Sequence, residues 1–171
     1  MVEAEGGSHP TPPIKILVLG VGNELLSDEG IGVHAVKALG KLQLPTMVDV
    51  FEGGTDGFGL INLIIEYDRL IVIDSLKGGN EPGTLYKFNI EDAPQSPDLF
   101  KTSVHQIGIL EVINLSGLLG KTPQTTVIGV EPKSIATGME LSPEVRQKLP
   151  RVIELVLEEI HQAKKSTNQH A

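Results

Sequence analysis

Two acids and a histidine, widely separated along the chain, are the residues whose types could do chemistry. Glu29 lies in a polar loop at the predicted start of a helix, Asp74 ends an apolar stretch, and His105 stands at the predicted start of another helix. Two carboxylates and one imidazole form a ligand set that suits a borderline divalent ion such as nickel or zinc. Three protein ligands would leave coordination positions open for water or a substrate, as metal-assisted hydrolysis requires.

Each of these residues also has a plain structural explanation. An acid in the first turn of a helix is favoured by the helix dipole, so Glu29 or its neighbour Asp28 could be structural. Asp74 could bond only the amides of the loop after its strand, and a histidine near a helix start is often a surface or capping residue. The pair Gly53-Gly54 could supply no more than a tight turn. Spacing alone therefore leaves both a metal site and separate structural roles open.

Predicted strands and helices alternate along the chain, and they must position these side chains. Short apolar runs that suit burial on both faces of a sheet predict strands at Ile14 to Gly20, Val48 to Phe51, Leu70 to Asp74 and Thr126 to Val130. Residues 84 to 88 alternate in polarity, which predicts an antiparallel or edge strand. Apolar stripes predict helices over about 30 to 42, 58 to 66, 105 to 119, and onward from Ser142 and Pro143, with Ser142 as the cap of the last helix.

This alternation predicts a three-layer αβα sandwich, with a mostly parallel, twisted sheet of about five strands and helices on both faces. Functional residues of such a sheet belong at the carboxyl ends of its strands, where the loops bearing Glu29 and Asp74 begin. The 171 residues suit a single α/β domain over 14–165. We expect a disordered arm over 1–13 and a flexible tail over 166–171.

Composition argues against several classes of function. The formal net charge is −8, from 22 acidic and 14 basic residues, which opposes binding to nucleic acid or to anionic lipid. The chain has no cysteine, which excludes disulfides, thiolate metal sites and a cysteine nucleophile. No apolar run approaches the roughly 20 residues needed to cross a bilayer, and no signal peptide is recognisable. A cytoplasmic protein without nucleic-acid or membrane partners is the expectation.

The glycines after the first strand also invite a nucleotide-binding interpretation. Gly20-x-Gly22 opens like a dinucleotide fingerprint, but Leu25 stands where the third glycine is needed. Two acids, Asp28 and Glu29, then stand where a phosphate would meet the helix, so this interpretation is the weaker one. Other peptidase signatures, such as His-Glu-x-x-His and Gly-x-Ser-x-Gly, are absent from the sequence.

The sequence resembles the hydrogenase maturation proteases, which cleave the large-subunit precursor of [NiFe]-hydrogenases. The opening signature of that family is similar to GVGNELLSDEGIG at residues 20–32. The resemblance continues in order through nearly the whole predicted domain, at Gly53-Gly54-Thr55, Ile71 to Asp74, His105-Gln106-Ile107-Gly108 and Val127 to Pro132. It implies a phosphorylase/hydrolase-like α/β fold and an endopeptidase that removes the precursor's C-terminal extension after nickel insertion.

The resemblance also implies roles for particular residues. Glu29, Asp74 and His105 would be the catalytic metal ligands, and the nickel would be presented by the precursor rather than held by the free protease. The substrate would be bound by Gly22, Asn23, Asp28, Glu52, Gly53, Gly54, Thr55 and Gln106. Glu52 departs from the family, in which aspartate is common at that position. Two alternatives remain: a nickel-sensing maturation chaperone without catalysis, and a nucleotide- or flavin-binding module. The client hydrogenase and the oligomeric state are not predicted.

Overall fold

In a computed structural model, residues 12–55, 58–92 and 109–168 are described, and they form one five-stranded sheet with helices against it. The strands are β1 (Ile16–Val21), β2 (Val48–Gly54), β3 (Arg69–Ser75), β4 (Leu85–Asn89) and β5 (Gln124–Val130). The α-helices are α1 (Ile31–Leu39), α2 (Ile61–Ile64), α3 (Ile109–Leu118), α4 (Pro143–Arg146) and α5 (Leu149–Asn168). Short 3₁₀ helices cover Ser27–Gly30, Phe58–Leu60 and Ile90–Asp92.

The strand order is β2-β1-β3-β5-β4, and it places β1 and β3 side by side near the centre of the sheet. β1 runs parallel to β2 and β3, β3 runs parallel to β5, and β4 is antiparallel to β5 at the edge. The chain leaves β1 toward β2 on one side and returns to β3 on the other, so the strand order reverses there. Ligands bind at such a switch point in open α/β sheets. The predicted mostly parallel fold is confirmed, and the strand that we predicted to be antiparallel or at an edge is both.

Both faces of the sheet are covered, because alternate residues of the central strands enter two different cores. Ile16 and Val18 of β1 pack with residues of α1 and α5, including Val36 and Val156. Leu17 and Leu19 of the same strand pack in the second core, which contains Leu60, Ile64, Val112 and Ile113 from the helical segments on the opposite face. Strand side chains alternate between faces, so a strand that is apolar at every position requires two helical layers.

The C-terminal helix differs from its prediction in two ways. We predicted one helix from Ser142 onward, but the structure has α4 and α5 as separate helices. Pro150 is the physical reason, since it has no amide hydrogen to donate and its ring clashes with the carbonyl four residues earlier; it fits instead in the first turn of a new helix. Ser142 precedes α4, but its side chain makes no capping hydrogen bond and its hydroxyl donates to Asp28 instead.

The other boundaries shift by a few residues. α1 ends at Leu39 before Gly40, so Leu42 lies beyond the helix and is exposed rather than part of its apolar stripe. The predicted helix over 58 to 66 is shorter, with a 3₁₀ turn followed by α2. β2 continues through Gly54, into the segment that we predicted to be a turn. α5 reaches Asn168, three residues into the predicted flexible tail, and the predicted arm lies almost wholly outside the described residues.

Candidate functional site

Glu29 and Asp74 come together at the switch point between β1 and β3. Asp74 is the next-to-last residue of β3, and Glu29 lies in the 3₁₀ helix that follows the loop after β1. Gly22 lies between them: a Cβ atom there would be 1.9 Å from the Glu29 carbonyl oxygen and 3.7 Å from Asp74 Oδ1. Gly22 also has a φ of +121°, so both space and backbone conformation require glycine.

Both carboxyl groups are buried, and burial dominates their electrostatics. The exposed fraction is 7% for Asp74 and 5% for Glu29. Burial and, to a smaller extent, the neighbouring Glu29 charge raise the pKa of Asp74, and a 2.7 Å hydrogen bond from the Ser75 amide opposes them; the resulting pKa is about 7. Burial also raises the pKa of Glu29, which the positive charge of Lys77 partly opposes. Two desolvated acids that disfavour each other's charge are suited to receive a cation.

Further glycines allow the backbone of α1 to approach the sheet closely enough to place Glu29 beside Asp74. A Cβ atom on Gly32 would lie 2.3 Å from the Ile73 carbonyl oxygen and 2.4 Å from that of Val21. A Cβ atom on Gly20 would lie 2.2 Å from the Gly32 carbonyl oxygen. The first turn of α1 is therefore in backbone contact with β1 and β3. The glycine spacing that suggested a nucleotide site is explained here by close packing.

Asp28, which we predicted to bind the substrate, is held inside the protein by its own hydrogen bonds. Its side chain is fully buried, and its two carboxylate oxygens accept four hydrogen bonds. The donors are the amides of Lys133 at 2.9 Å, Ser134 at 3.0 Å and Ser142 at 2.7 Å, with the Ser142 hydroxyl at 2.8 Å. We call this arrangement the Asp28 clasp. It joins the loop before α1 to the segment between β5 and α4.

Sequence reasoning missed this second segment, residues 131–142, as a structural support of the site. Its members carry no metal-binding pattern, and the only local signal was the Glu131-Pro132 motif. Glu131 is buried, and its carboxylate accepts hydrogen bonds from the Gly78 amide at 2.7 Å and the Tyr86 hydroxyl at 2.5 Å. Burial and the Glu131 carboxylate both raise the pKa of Tyr86. Glu131 thereby fixes the loop that leaves β3 just after Asp74.

The structure brings the predicted substrate-binding glycines next to the first loop. The Gly22 amide donates a hydrogen bond to the Gly54 carbonyl at a distance of 3.0 Å. Gly54 has a φ of +54° and open space around it. Gly53 is a packing position, because a Cβ atom there would lie 2.9 Å from a methyl group of Leu19. Asn23 closes its own turn, with its side-chain oxygen accepting from the Leu25 amide at 2.9 Å.

Glu52 and Thr55 are exposed at the end of β2 and beyond it. Their roles in substrate binding stay predictions, as do those of Asn23 and the neighbouring glycines. His105 and Gln106 lie outside the described residues, and α3 is described from Ile109. Within 12–55, 58–92 and 109–168, no group of three metal-binding side chains is found. The structure thus shows the carboxylate pair, and the metal-ligand roles of Glu29, Asp74 and His105 all stay predictions.

Buried carboxyl groups with raised pKa values, at the carboxyl edge of a parallel sheet, are typical of an enzyme active site. A family model described as hydrogenase maturation protease matches residues 33–159. The chain belongs to the hydrogenase maturation protease family. No helix in the described part of the chain has both the length and the apolar character that crossing a bilayer needs.

Individual relatives agree with this assignment in sequence and in structure. The chain is 40% identical over 148 residues to the hydrogenase expression/formation protein HupD of Rhizobium leguminosarum bv. viciae, covering 85% of this chain and 73% of the relative. It is 38% identical over 149 residues to the hydrogenase 2 maturation protease of Escherichia coli (strain K12), covering 84% and 89%. The structure of the hydrogenase maturating endopeptidase HybD from E. coli superposes with a TM-score of 0.79 at 36% identity, covering 88% and 94%.

Proposed function

We propose that this chain is the endopeptidase that removes the C-terminal extension of a [NiFe]-hydrogenase large-subunit precursor once nickel has been inserted. Membership of the maturation protease family supports hydrolysis of a peptide bond in such a precursor. The observation that supports the position of the reaction is the buried Glu29–Asp74 pair at the switch point. We expect the reaction to take place in the cytoplasm.

In this proposal the nickel ion belongs to the substrate, and the protease reads its presence. Glu29 and Asp74 would contact the ion as it enters, because a divalent cation neutralises two desolvated carboxylates that otherwise repel each other. His105 would be the third contact. An ion held beside the scissile bond can polarise the carbonyl group or lower the pKa of a water molecule. Cleavage would then follow nickel insertion and not precede it.

The extension would approach along the glycine turn of β2. Gly54 has open space around it, and glycine there allows close approach of an extended peptide backbone. Asn23, Glu52, Thr55 and Gln106 are the polar side chains that we propose for contacts with the extension. Asp28 is not among them, since its oxygens are already occupied by the clasp.

The decisive experiment compares nickel-loaded with nickel-free precursor. Purified protein is incubated with each form, and the length of the precursor is followed by intact mass. We expect cleavage of the nickel-loaded form alone. Binding without cleavage would support the chaperone alternative, and equal cleavage of both forms would contradict nickel dependence. Replacing Asp74 by Asn provides the site control, because Asn retains an oxygen that can accept from the Ser75 amide.

The nucleotide- or flavin-binding alternative fits this geometry poorly. A phosphate placed against Gly22 would meet the Glu29 carbonyl oxygen and the Asp74 carboxyl group, whose oxygen atoms both repel an anion. Equilibrium dialysis against adenine nucleotides and flavin mononucleotide tests this alternative directly. We expect no saturable binding.

A further inference from the structure

Two loops beside the carboxylate pair expose three large apolar side chains. Leu25 is 55% exposed, Ile135 is 40% exposed and Met139 is 58% exposed. Leu25 belongs to the loop before the 3₁₀ helix that carries Glu29, and the other two belong to the segment between β5 and α4. We call these three side chains and the loops that bear them the apolar platform. Large apolar side chains that cluster on a surface mark an interaction site more often than isolated ones do.

The two loops of the platform are bonded to each other through their backbones. The Gly138 amide donates to the Leu25 carbonyl at 2.9 Å, and the Ser27 amide donates to the Gly138 carbonyl at 2.7 Å. The Ser27 hydroxyl adds a bond to the Ala136 carbonyl at 2.9 Å, and the Asp28 clasp joins the same two segments. Leu25 and Met139 are therefore held on adjacent backbones. A surface that is ordered before binding loses less entropy when a partner docks.

The exposed charges of these loops are all paired, so the platform has an apolar centre and a neutral rim. Glu24 pairs with Lys37 at 2.6 Å, whereas Lys133 pairs with Glu144 and Glu140 pairs with Arg146, each at 2.5 Å. Three acids and three bases sum to zero, although the whole chain carries −8. An apolar patch inside a polar rim is the usual anatomy of a protein interface. Such a surface selects an apolar partner and not a charged one.

We infer that Leu25, Ile135 and Met139 dock an apolar segment of the hydrogenase large-subunit precursor and set its affinity for the protease. The inference rests on the proposed function, which supplies the partner. Leu25 lies in the loop before the 3₁₀ helix and is four residues from Glu29 along the chain. We therefore expect a folded precursor that brings a peptide bond to Glu29 and Asp74 to lie against or beside the platform. The platform makes no contact with the reacting atoms and acts on binding.

The test replaces all three side chains by serine and measures cleavage of nickel-loaded precursor over a range of precursor concentrations. We expect KM to rise by about tenfold or more, because a few central apolar side chains carry most of the binding energy of an interface, while kcat changes by less than about twofold. The matched control replaces three exposed leucines elsewhere, Leu42, Leu118 and Leu119, which are 45%, 81% and 60% exposed. The control variant should keep the wild-type KM.

Several outcomes would overturn the inference. A platform variant with the KM and kcat of the wild type would contradict the inference directly. Equal losses in the platform and control variants would also do so, because they would reflect general surface polarity. If sedimentation shows a wild-type dimer that the platform variant converts to monomer, the surface pairs two copies of this chain. Thermal unfolding of both variants shows whether either one has a folding defect. The single change Met139→Glu tests the same surface with only one side chain altered.

Salt dependence and direct binding separate this inference from the proposed function. Because the rim is neutral, the affinity for precursor should change by less than about threefold between about 50 and 300 mM salt. If wild-type protein binds but never cleaves, the proposed function fails, and the docking surface is then judged by whether the platform variant loses binding. If wild-type protein cleaves the precursor, but the platform variant and the control variant bind the precursor equally well, only the inference of a docking surface fails.

Discussion

Asp28 and Glu29 are adjacent acids in one short helix, and the structure uses them in opposite ways. Asp28 is surrounded by donors, and its carboxylate accepts four hydrogen bonds. Glu29 and its neighbour Asp74 are also buried, but their charged forms are disfavoured, as the raised pKa values show. A buried carboxylate with filled hydrogen bonds stabilises a fold, whereas one left short of donors is available to a ligand. The comparison distinguishes, at two consecutive positions, a carboxylate with filled hydrogen bonds from one whose charged form is disfavoured.

The largest expected effect follows from removing the charge of Asp74. Asp74→Asn should reduce cleavage of nickel-loaded precursor by more than the roughly 10- to 100-fold loss that is typical of an outer-shell partner. The measurement is the rate at which the shortened precursor appears by intact mass. Asp49→Asn is a suitable control, since Asp49 bonds only the Tyr67 hydroxyl among the contacts described and lies away from the switch point on β2. A wild-type rate in Asp74→Asn would remove Asp74 from the active site.

Breaking the Asp28 clasp should lower the stability of the protein more than its rate of cleavage. Asp28→Ala leaves four partly buried donors without their acceptor, and an unsatisfied group costs about 1–3 kcal/mol when it is buried. Allowing for partial rescue by water, we expect the free energy of unfolding to fall by about 3 kcal/mol or more. Ser142→Ala removes one donor only and should cost about 1 kcal/mol. Denaturant titrations measure both, and equal stabilities of Asp28→Ala and wild type would contradict the clasp.

Two glycines of the site should differ because their surroundings differ. Gly22→Ala places a methyl group 1.9 Å from the Glu29 carbonyl oxygen at a φ of +121°. We expect it to cost about 3 kcal/mol or more of stability and to displace Glu29. Gly54→Ala has a φ of +54° and open space, so only the left-handed backbone is penalised, by about 1 kcal/mol. Thermal unfolding of the two variants, with cleavage rates, measures the contrast; equal losses would contradict it.

The smallest expected effect is a pH dependence of stability that comes from Asp74. The pKa of Asp74 rises from an ordinary value of 3.8 to about 7 in the folded protein. Between these values the folded state holds a proton that the unfolded chain has released, so wild-type stability falls as pH rises through this window. Asp74→Asn lacks this dependence and should be more stable than wild type above pH 7, by on the order of 1–3 kcal/mol.

The matching measurement is a denaturant titration of both proteins from about pH 4 to about pH 8. The difference between them should be small at the acid end and should grow toward neutral pH. A constant difference across the range would mean that Asp74 titrates normally. Cleavage by the wild type should rise over the same window, because the ionised carboxylate is the form that binds a cation.

Much of the fold could be predicted from local patterns. Strands buried on both faces must be apolar at nearly every position, so the short runs at Ile16–Val21, Arg69–Ser75 and Gln124–Val130 were found within two residues at either end. Alternating polarity predicted that β4 is an antiparallel or edge strand, and in the structure it is both. The break before α5 was also readable, since Pro150 cannot occupy a helix interior, but the continuous apolar stripe concealed it.

The sequence by itself determined the α/β class, the strand-end location of the acids and, through its motifs, the family. Tertiary structure alone decided which of the two neighbouring acids has its hydrogen bonds filled and which has its charged form disfavoured. Asp28 and Glu29 have similar chemistry and equivalent local positions, and the partners that satisfy Asp28 lie 105 to 114 residues away. The hydrogen-bond donors that reach a buried acid in the folded protein come from whichever backbone segments the topology brings near it. No local pattern in one sequence encodes these partners.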